Sequence, residues 1–275
     1  MKVIKQNIIS IYGIKGEEWL QEIPQIVSQL AKLWNLSSMS EVDNMTFNYI
    51  VKAMRYRDIP VVVKIGCDKQ LIIDELKTLR HFNGYGSIQV IDYSPEYNAL
   101  LLTQAIPGES LKFYGEDKID IYIEVMHKLH SMAMPQENGY EHIKDWLIAL
   151  DEAVGIPDKL LDKAISIKNK LLETPRKEYI LHGDLHHDNI IQNGEDWLAI
   201  DPKAIIGEAE FEIAAFDSID IEELHILAEK SGLEAERVID WVFVRLALSA
   251  AWTIEDNGNP SIYIELLEKL WTSRL

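Results

Sequence analysis

Asp184, Asn189 and Asp201 are the side chains of this chain whose types and spacing could do chemistry. They lie in one stretch, residues 179–201, reading YILHGDLHHDNIIQNGEDWLAID. Two short apolar segments, 179–181 and 197–200, flank its polar block, and a carboxylate follows each. Between them Asn193-Gly194 suits the positive φ angles of a tight hairpin, so the three side chains are expected on loop and strand ends that converge. Three oxygen donors without a thiolate suit a hard cation such as Mg²⁺. The chemistry such a set serves is phosphoryl transfer. Asp184 would orient an acceptor hydroxyl and assist its deprotonation. Asn189 and Asp201 would hold the metal that offsets phosphate charge, the amide supplying an oxygen without a further negative charge.

Phosphate chemistry also needs a fixed cation, and Lys64 is placed to be one. It interrupts the β-branched run Val61-Val62-Val63-Lys64-Ile65, where a bare ammonium must reach water or a counterion. The partner is expected from the next helix. Glu75 shares a face with Leu71, Ile72 and Leu79, whereas its rival Asp74 does not. A glycine-rich G-x-G-x-x-G turn is missing; the equivalent residues 44–49 read NMTFNY, leaving backbone amides or the Thr46 hydroxyl to cap phosphates. His182 and His186, four apart beside Asp184 and Asp188, also admit a zinc-site reading. Such a pair normally sits on a helix, and Gly183 with strand-like flanks argues against one, so His182, His186 and His187 are read as loop scaffolding.

The elements that must position these residues fall into two groups, and the expected class is α+β. Residues 17–34 have a helical rhythm that Pro24 is expected to kink. Strands are predicted over 47–53, 61–65, 88–93 and 99–103, with a helix over 70–82. After Pro107-Gly108 the text turns helical: 117–131, 141–154, 158–172, 221–231, 234–252 and 260–272. The expected architecture is a small β-rich N-terminal lobe, 1–104, and a mostly α-helical C-terminal lobe, 105–275, joined by a short crossing near 104–108.

Composition limits the partners. Of 275 residues 47% are hydrophobic and 26% charged, which is ordinary for a globular protein. The formal net charge of −18 disfavours nucleic acid and anionic membranes and favours cationic ligands. One cysteine excludes an intramolecular disulfide framework and suits a reducing cytoplasm. No apolar run reaches the roughly 18 residues of a membrane span.

Asp184 precedes Asn189 by five positions and Asp201 follows twelve later, the spacing of the catalytic and metal-binding segments in kinases. LHGDLHHDNI followed by WLAIDPK resembles the aminoglycoside phosphotransferases, specifically the branch of streptomycin 6-kinases and hydroxyurea phosphotransferases. EEWLQEIPQIVSQLAKLWNL, FNYIVKA, VVVKIG, LLLTQAIPGESL and GEAEFEIAAF extend the likeness over nearly the whole chain. HGDxxxxN is shared by many small-molecule kinases; the double His with WLAIDPK is much narrower.

The resemblance implies a two-lobed protein-kinase-like fold that uses ATP and Mg²⁺ to phosphorylate a hydroxyl of an antibiotic-like small molecule. By matching position, Asp184 is the catalytic Asp, Asn189 and Asp201 are the metal ligands, and Lys64 with Glu75 is the phosphate pair. Gln104 and Ile106 would offer backbone groups to adenine. Gly183 stands where protein kinases have an arginine, and only ten residues separate Asp201 from Glu212, too few for a peptide-docking segment. The acceptor is therefore expected to be small. Asp217, Asp220, Glu255 and Asp256 are available for its cationic groups and Trp252 for stacking. Ala204 departs from the branch, which usually has Gly after Asp-Pro-Lys. The alternatives are a kinase for hydroxyurea or a metabolite, and a nucleotide-binding module without turnover.

Overall fold

The computed structural model describes residues 2–43, 45–115, 117–135 and 139–274. They form two compact units, one holding the chain up to Glu109 with Gln192–Leu198, the other Ser110–Ile191 with the chain from Ala199 onward.

The first unit opens with α1 (Lys2–Tyr12) and α2 (Ile14–Leu33). Ile4 and Ile8, one helical turn apart, are fully buried against Ile23, Leu30 and Trp34. That burial fixes a helix in a segment where no element was expected. The two helices approach closely at Gly16, where an added Cβ would lie 2.6 Å from the Ile8 carbonyl oxygen. Helix α2 has Pro24 inside it and continues past it as one helix. Its buried stripe outweighs the roughly 3 kcal/mol by which proline disfavours a helix interior.

A five-stranded antiparallel sheet follows, in the order β1 (Leu36–Glu41), β2 (Asn48–Arg55), β3 (Ile59–Gly66), β5 (Ala99–Thr103), β4 (Val90–Ser94). The β-branched run of β3 takes the centre because both its neighbours cover it. The edge strand β1, LSSMSE, is polar and half exposed, which is why sequence periodicity passes over it. Helix α3 (Lys69–Phe82) starts at Asp68, whose side chain accepts from the N–H groups of Gln70 and Leu71 at 2.8 and 3.1 Å. It ends at left-handed Asn83. The segment β6 (Pro107–Ser110) leaves this unit.

The second unit contains α4 (Lys118–His130), β7 (Glu141–His142), α5 (Ile143–Trp146), α6 (Asp158–Glu173) and β8 (Glu178–Leu181). The hairpin β9 (Ile190–Asn193) and β10 (Asp196–Ala199) follows, its tip grouping with the first unit. Then come β11 (Ile205–Glu208), α7 (Ala209–Ile213), α8 (Ile221–Ser231), α9 (Ala235–Glu255) and α10 (Ser261–Ser273).

The helix expected over 141–154 is a correction. Its first two residues pair in parallel with β11, Ile205 opposite Glu141, and only α5 and a 3₁₀ turn at Leu147–Leu150 follow. Ile143, Leu147 and Leu150 face the core at helical spacing, so periodicity alone reads helix, but strand pairing has taken the backbone ahead of them.

Strand β11 was not foreseen. Its four residues are all buried and pair antiparallel with β8, Ile205 opposite Leu181. It is anchored by Glu208, which receives both Nε and Nη2 of Arg237 at 2.7 Å and the indole N–H of Trp241 at 3.0 Å. Burial raises the Glu208 carboxyl, but these bonds and that of the Arg176 N–H outweigh it and hold it below its usual range. Helix α9 runs through the middle of this unit, burying Trp241, Phe243, Ala247 and Ala251 on several faces. No described helix is long and apolar enough to cross a membrane.

Candidate active site

In the first unit Lys64 sits opposite Ile50 of β2 and Leu100 of β5, with a side chain only 3% exposed. Its ammonium lies 2.5 Å from Oε2 of Glu75. Asp74 faces the other way, accepting from Gln70 Nε2 at 3.0 Å. A buried pair of this kind is weak support for stability, because desolvation offsets its Coulombic gain. Such a pair holds a cation at a fixed place. Thr46 is exposed in the β1–β2 turn, its carbonyl accepting from Asn7 Nδ2 at 3.2 Å; Asn44 lies outside the described residues.

Ile106 is held by the tip of the β9–β10 hairpin. Its N–H donates to Asn193 Oδ1 at 3.2 Å and its carbonyl accepts from the Gly194 N–H at 2.7 Å. The hairpin tip thus engages both backbone groups of Ile106.

In the second unit the loop after β8 carries Asp184 and Asn189. Gly183, in the left-handed region at φ 80°, makes the bend. A Cβ there would lie 2.8 Å from Ile205 Cγ2 and 3.3 Å from Lys203 Cβ, so any larger residue in this place meets both backbone strain and crowding. Gly183→Ala is expected to destabilise the protein by about 2 kcal/mol through backbone strain and overpacking. An unchanged melting temperature would contradict that packing.

His182 ties this loop to the end of β10. It is fully buried, its Nε2–H donates to the Ile200 carbonyl at 2.6 Å, and its Nδ1 accepts from the Asp184 N–H at 3.3 Å. One nitrogen must donate and the other accept, so the ring is neutral, and burial pushes its pKa down accordingly. With Nε2 committed to a carbonyl, His182 cannot ligate zinc. The described residues contain no group of three or more His, Cys, Asp or Glu able to hold a metal.

Glu212 of α7, fully buried, completes the support. Its Oε2 accepts from the His182 N–H at 2.7 Å and lies 3.3 Å from His130 Nε2, while Oε1 accepts from the Gly183 N–H at 3.0 Å. Burial raises this carboxyl, yet the bond and charge of His130 and the contacts with His182 prevail and keep it below its usual value.

Asn189 donates through Nδ2 to the Asp184 carbonyl at 2.8 Å, which leaves its oxygen as the atom to offer a cation. Its own carbonyl accepts from the Ile200 N–H at 2.9 Å, bringing Asn189 beside Asp201. Asp201 and Ala204 both lie in the left-handed region, at φ 63° and 59°. An alanine there carries strain of order 1 kcal/mol that a glycine would not. The donor set, one carboxylate and one amide oxygen, fits Mg²⁺, which takes few protein ligands when substrate phosphates supply the rest.

Asp184 lines a cavity of about 480 Å³ with Lys203, Arg245, Trp146, Trp252 and Asp256. The two indoles meet edge to face with centroids 5.4 Å apart. Of the residues proposed for an acceptor, Trp252 and Asp256 are here and Glu255 is exposed beside them. Asp220 instead caps α8, accepting from the Glu223 N–H at 3.0 Å. Asp217 lines a separate cavity of about 540 Å³ with His187, Phe216 and Lys118. That cavity lacks Asp184, and Lys230 in its wall pairs with Asp120 at 2.5 Å. Sequence reading missed Arg245, Trp146 and Glu212, whose partners are distant in the chain.

The fold is that of solved small-molecule kinases. A thermostable mutant of aminoglycoside phosphotransferase APH(4)-Ia, in ternary complex with ADP and hygromycin B, superposes with TM-score 0.68 at 11% identity, covering 88% of this chain and 96% of that one. The profile of the aminoglycoside/hydroxyurea antibiotic resistance kinases matches residues 33–257, and the chain belongs to that family. It is a phosphotransferase with a hydroxyl acceptor. A streptomycin 6-kinase of Streptomyces glaucescens is 24% identical over 90% of this chain and 88% of its own length. A streptomycin 3''-kinase of Klebsiella pneumoniae is 28% identical over 81% and 90%.

Proposed function

We propose that this enzyme transfers the γ-phosphoryl group of ATP, with Mg²⁺, to a hydroxyl of a streptomycin-like aminoglycoside, and that it confers resistance from the cytoplasm. The observation that carries the reading is Asp184 in the wall of a cavity with two indoles and the carboxylate of Asp256. The indole faces suit the apolar side of a sugar ring and Asp256 suits a guanidinium or ammonium group. A cavity of about 480 Å³ is sized for a drug-like acceptor rather than for hydroxyurea, which favours the aminoglycoside over the smaller compound.

When bound, Mg·ATP supplies the phosphoryl group and the charge neutralisation that its transfer needs. Asn189 and Asp201 would hold the metal. Lys64, fixed by Glu75, would meet the α- and β-phosphates, Gln104 the base, and Thr46 the phosphate roof. Asp184 would orient the acceptor hydroxyl and take its proton as the bond to phosphorus forms.

The test is ATP consumption with a panel of aminoglycosides, hydroxyurea and metabolite alcohols, together with thermal shift in Mg·ATP. Consumption only with streptomycin-like acceptors is expected; stabilisation without consumption by any acceptor contradicts the reading. Asp201→Ala is expected to weaken apparent Mg·ATP affinity at least about tenfold, measured by titration at varied Mg²⁺. Unchanged metal dependence would remove Asp201 from the site.

A further inference from the structure

Arg245 reaches Asp184 from α9, sixty-one residues further along the chain. Its Nη1 donates to the Gly183 carbonyl at 3.1 Å and its Nη2 to Asp184 Oδ1 at 3.3 Å. The guanidinium carbon lies 5.2 Å from the centre of the Phe211 ring, and the side chain is 17% exposed. One planar fork therefore grips both the backbone at the bend and one oxygen of the carboxylate after it. The other oxygen, Oδ2, has Lys203 at 3.9 Å and His186 at 3.8 Å, both beyond hydrogen-bond length.

We propose that Arg245 is a positioning residue, holding Asp184 by Oδ1 so that Oδ2 is the atom presented to the acceptor hydroxyl. This rests on the reading of Asp184 as the proton acceptor. The ion pair is partly exposed and adds little stability. Its value is geometric, since a misplacement of about 1 Å at a reacting group can cost on the order of a hundredfold in rate. A lysine in its place has a single ammonium and cannot span the carbonyl and the carboxylate together.

The experiment is a double-substitution cycle in the full-length enzyme, with kcat and KM measured for Mg·ATP and for an accepted aminoglycoside. Arg245→Met keeps an apolar stem against Phe211. It is expected to lower kcat about 10- to 100-fold while KM for ATP stays within about twofold. In an Asp184→Asn background the same change is expected to lower kcat by less than about threefold, because a group acting through Asp184 has nothing left to position. Arg245→Lys is expected to recover part of the loss.

Equal losses in both backgrounds, or full activity in Arg245→Met, overturn the proposal. If Arg245→Met melts early, the cycle is run with Arg245→Lys and read in the same way. A wild-type enzyme that phosphorylates no acceptor in the panel overturns the reaction itself and this inference with it, and that outcome needs no variant to recognise.

Discussion

Asp184→Asn is expected to lower turnover by about two to four decades while leaving Mg·ATP binding almost unchanged. The amide has the size and shape of the carboxylate, so the loop held by His182, Glu212 and Gly183 has no steric reason to move. What is lost is an atom able to take a proton and the charge that meets Arg245. Nucleotide and metal contacts are assigned to other residues, so thermal stabilisation by Mg·ATP should match the wild type. The two measurements together separate chemistry from binding. Full turnover in Asp184→Asn would take this residue out of the mechanism, and loss of the thermal shift would make its role structural.

Glu212→Gln is expected to have the largest effect on stability, a loss of about 3–5 kcal/mol. Three N–H donors converge on this fully buried carboxylate, those of His182, Gly183 and the His130 ring. A glutamine must turn its NH₂ toward one of them, leaving donor against donor in a buried site. The melting temperature should fall by roughly 10 °C.

The pH dependence follows from the direction of the Glu212 shift. Its folded pKa lies below the ordinary value of 4.5, so the unfolded chain binds the proton more readily. The stability it contributes is present above that ordinary value and is lost as pH falls through the lower folded one. The stability gap between wild type and Glu212→Gln should therefore be constant near neutrality and narrow in acid. Melting curves from pH 7 downward check this, and a gap that stays flat in acid would contradict it.

What the sequence by itself determined is what local pattern can carry. A hairpin between Asn189 and Asp201 is legible in the Asn193-Gly194 dipeptide, although the two-residue turn itself falls one position later, on Gly194 and Glu195, and of the expected pair only Gly194 takes a positive φ. The phase of a helix decides that Glu75 rather than Asp74 faces Lys64, since a shift of one residue rotates a side chain by about 100°. The α+β class and the helical second half come from periodicity of the same kind.

Only the tertiary structure decided the rest, because those features depend on partners far away in the chain. Strand β11 exists because β7 and β8 lie on either side of it, and four residues reading IIGE carry no signal of that. The same pairing shortens the helix that periodicity predicts over 141–154. Glu212 looks like one acid among many until Gly183 is seen, twenty-nine residues back, with its N–H aimed at it. Arg245 lies in the text of an apolar helix, and its reach to Asp184 follows from how α9 packs. The hairpin tip likewise claims the backbone of Ile106 across eighty-seven residues. Sequence spacing names the groups that can do the chemistry; long-range hydrogen bonding decides which way each of them points.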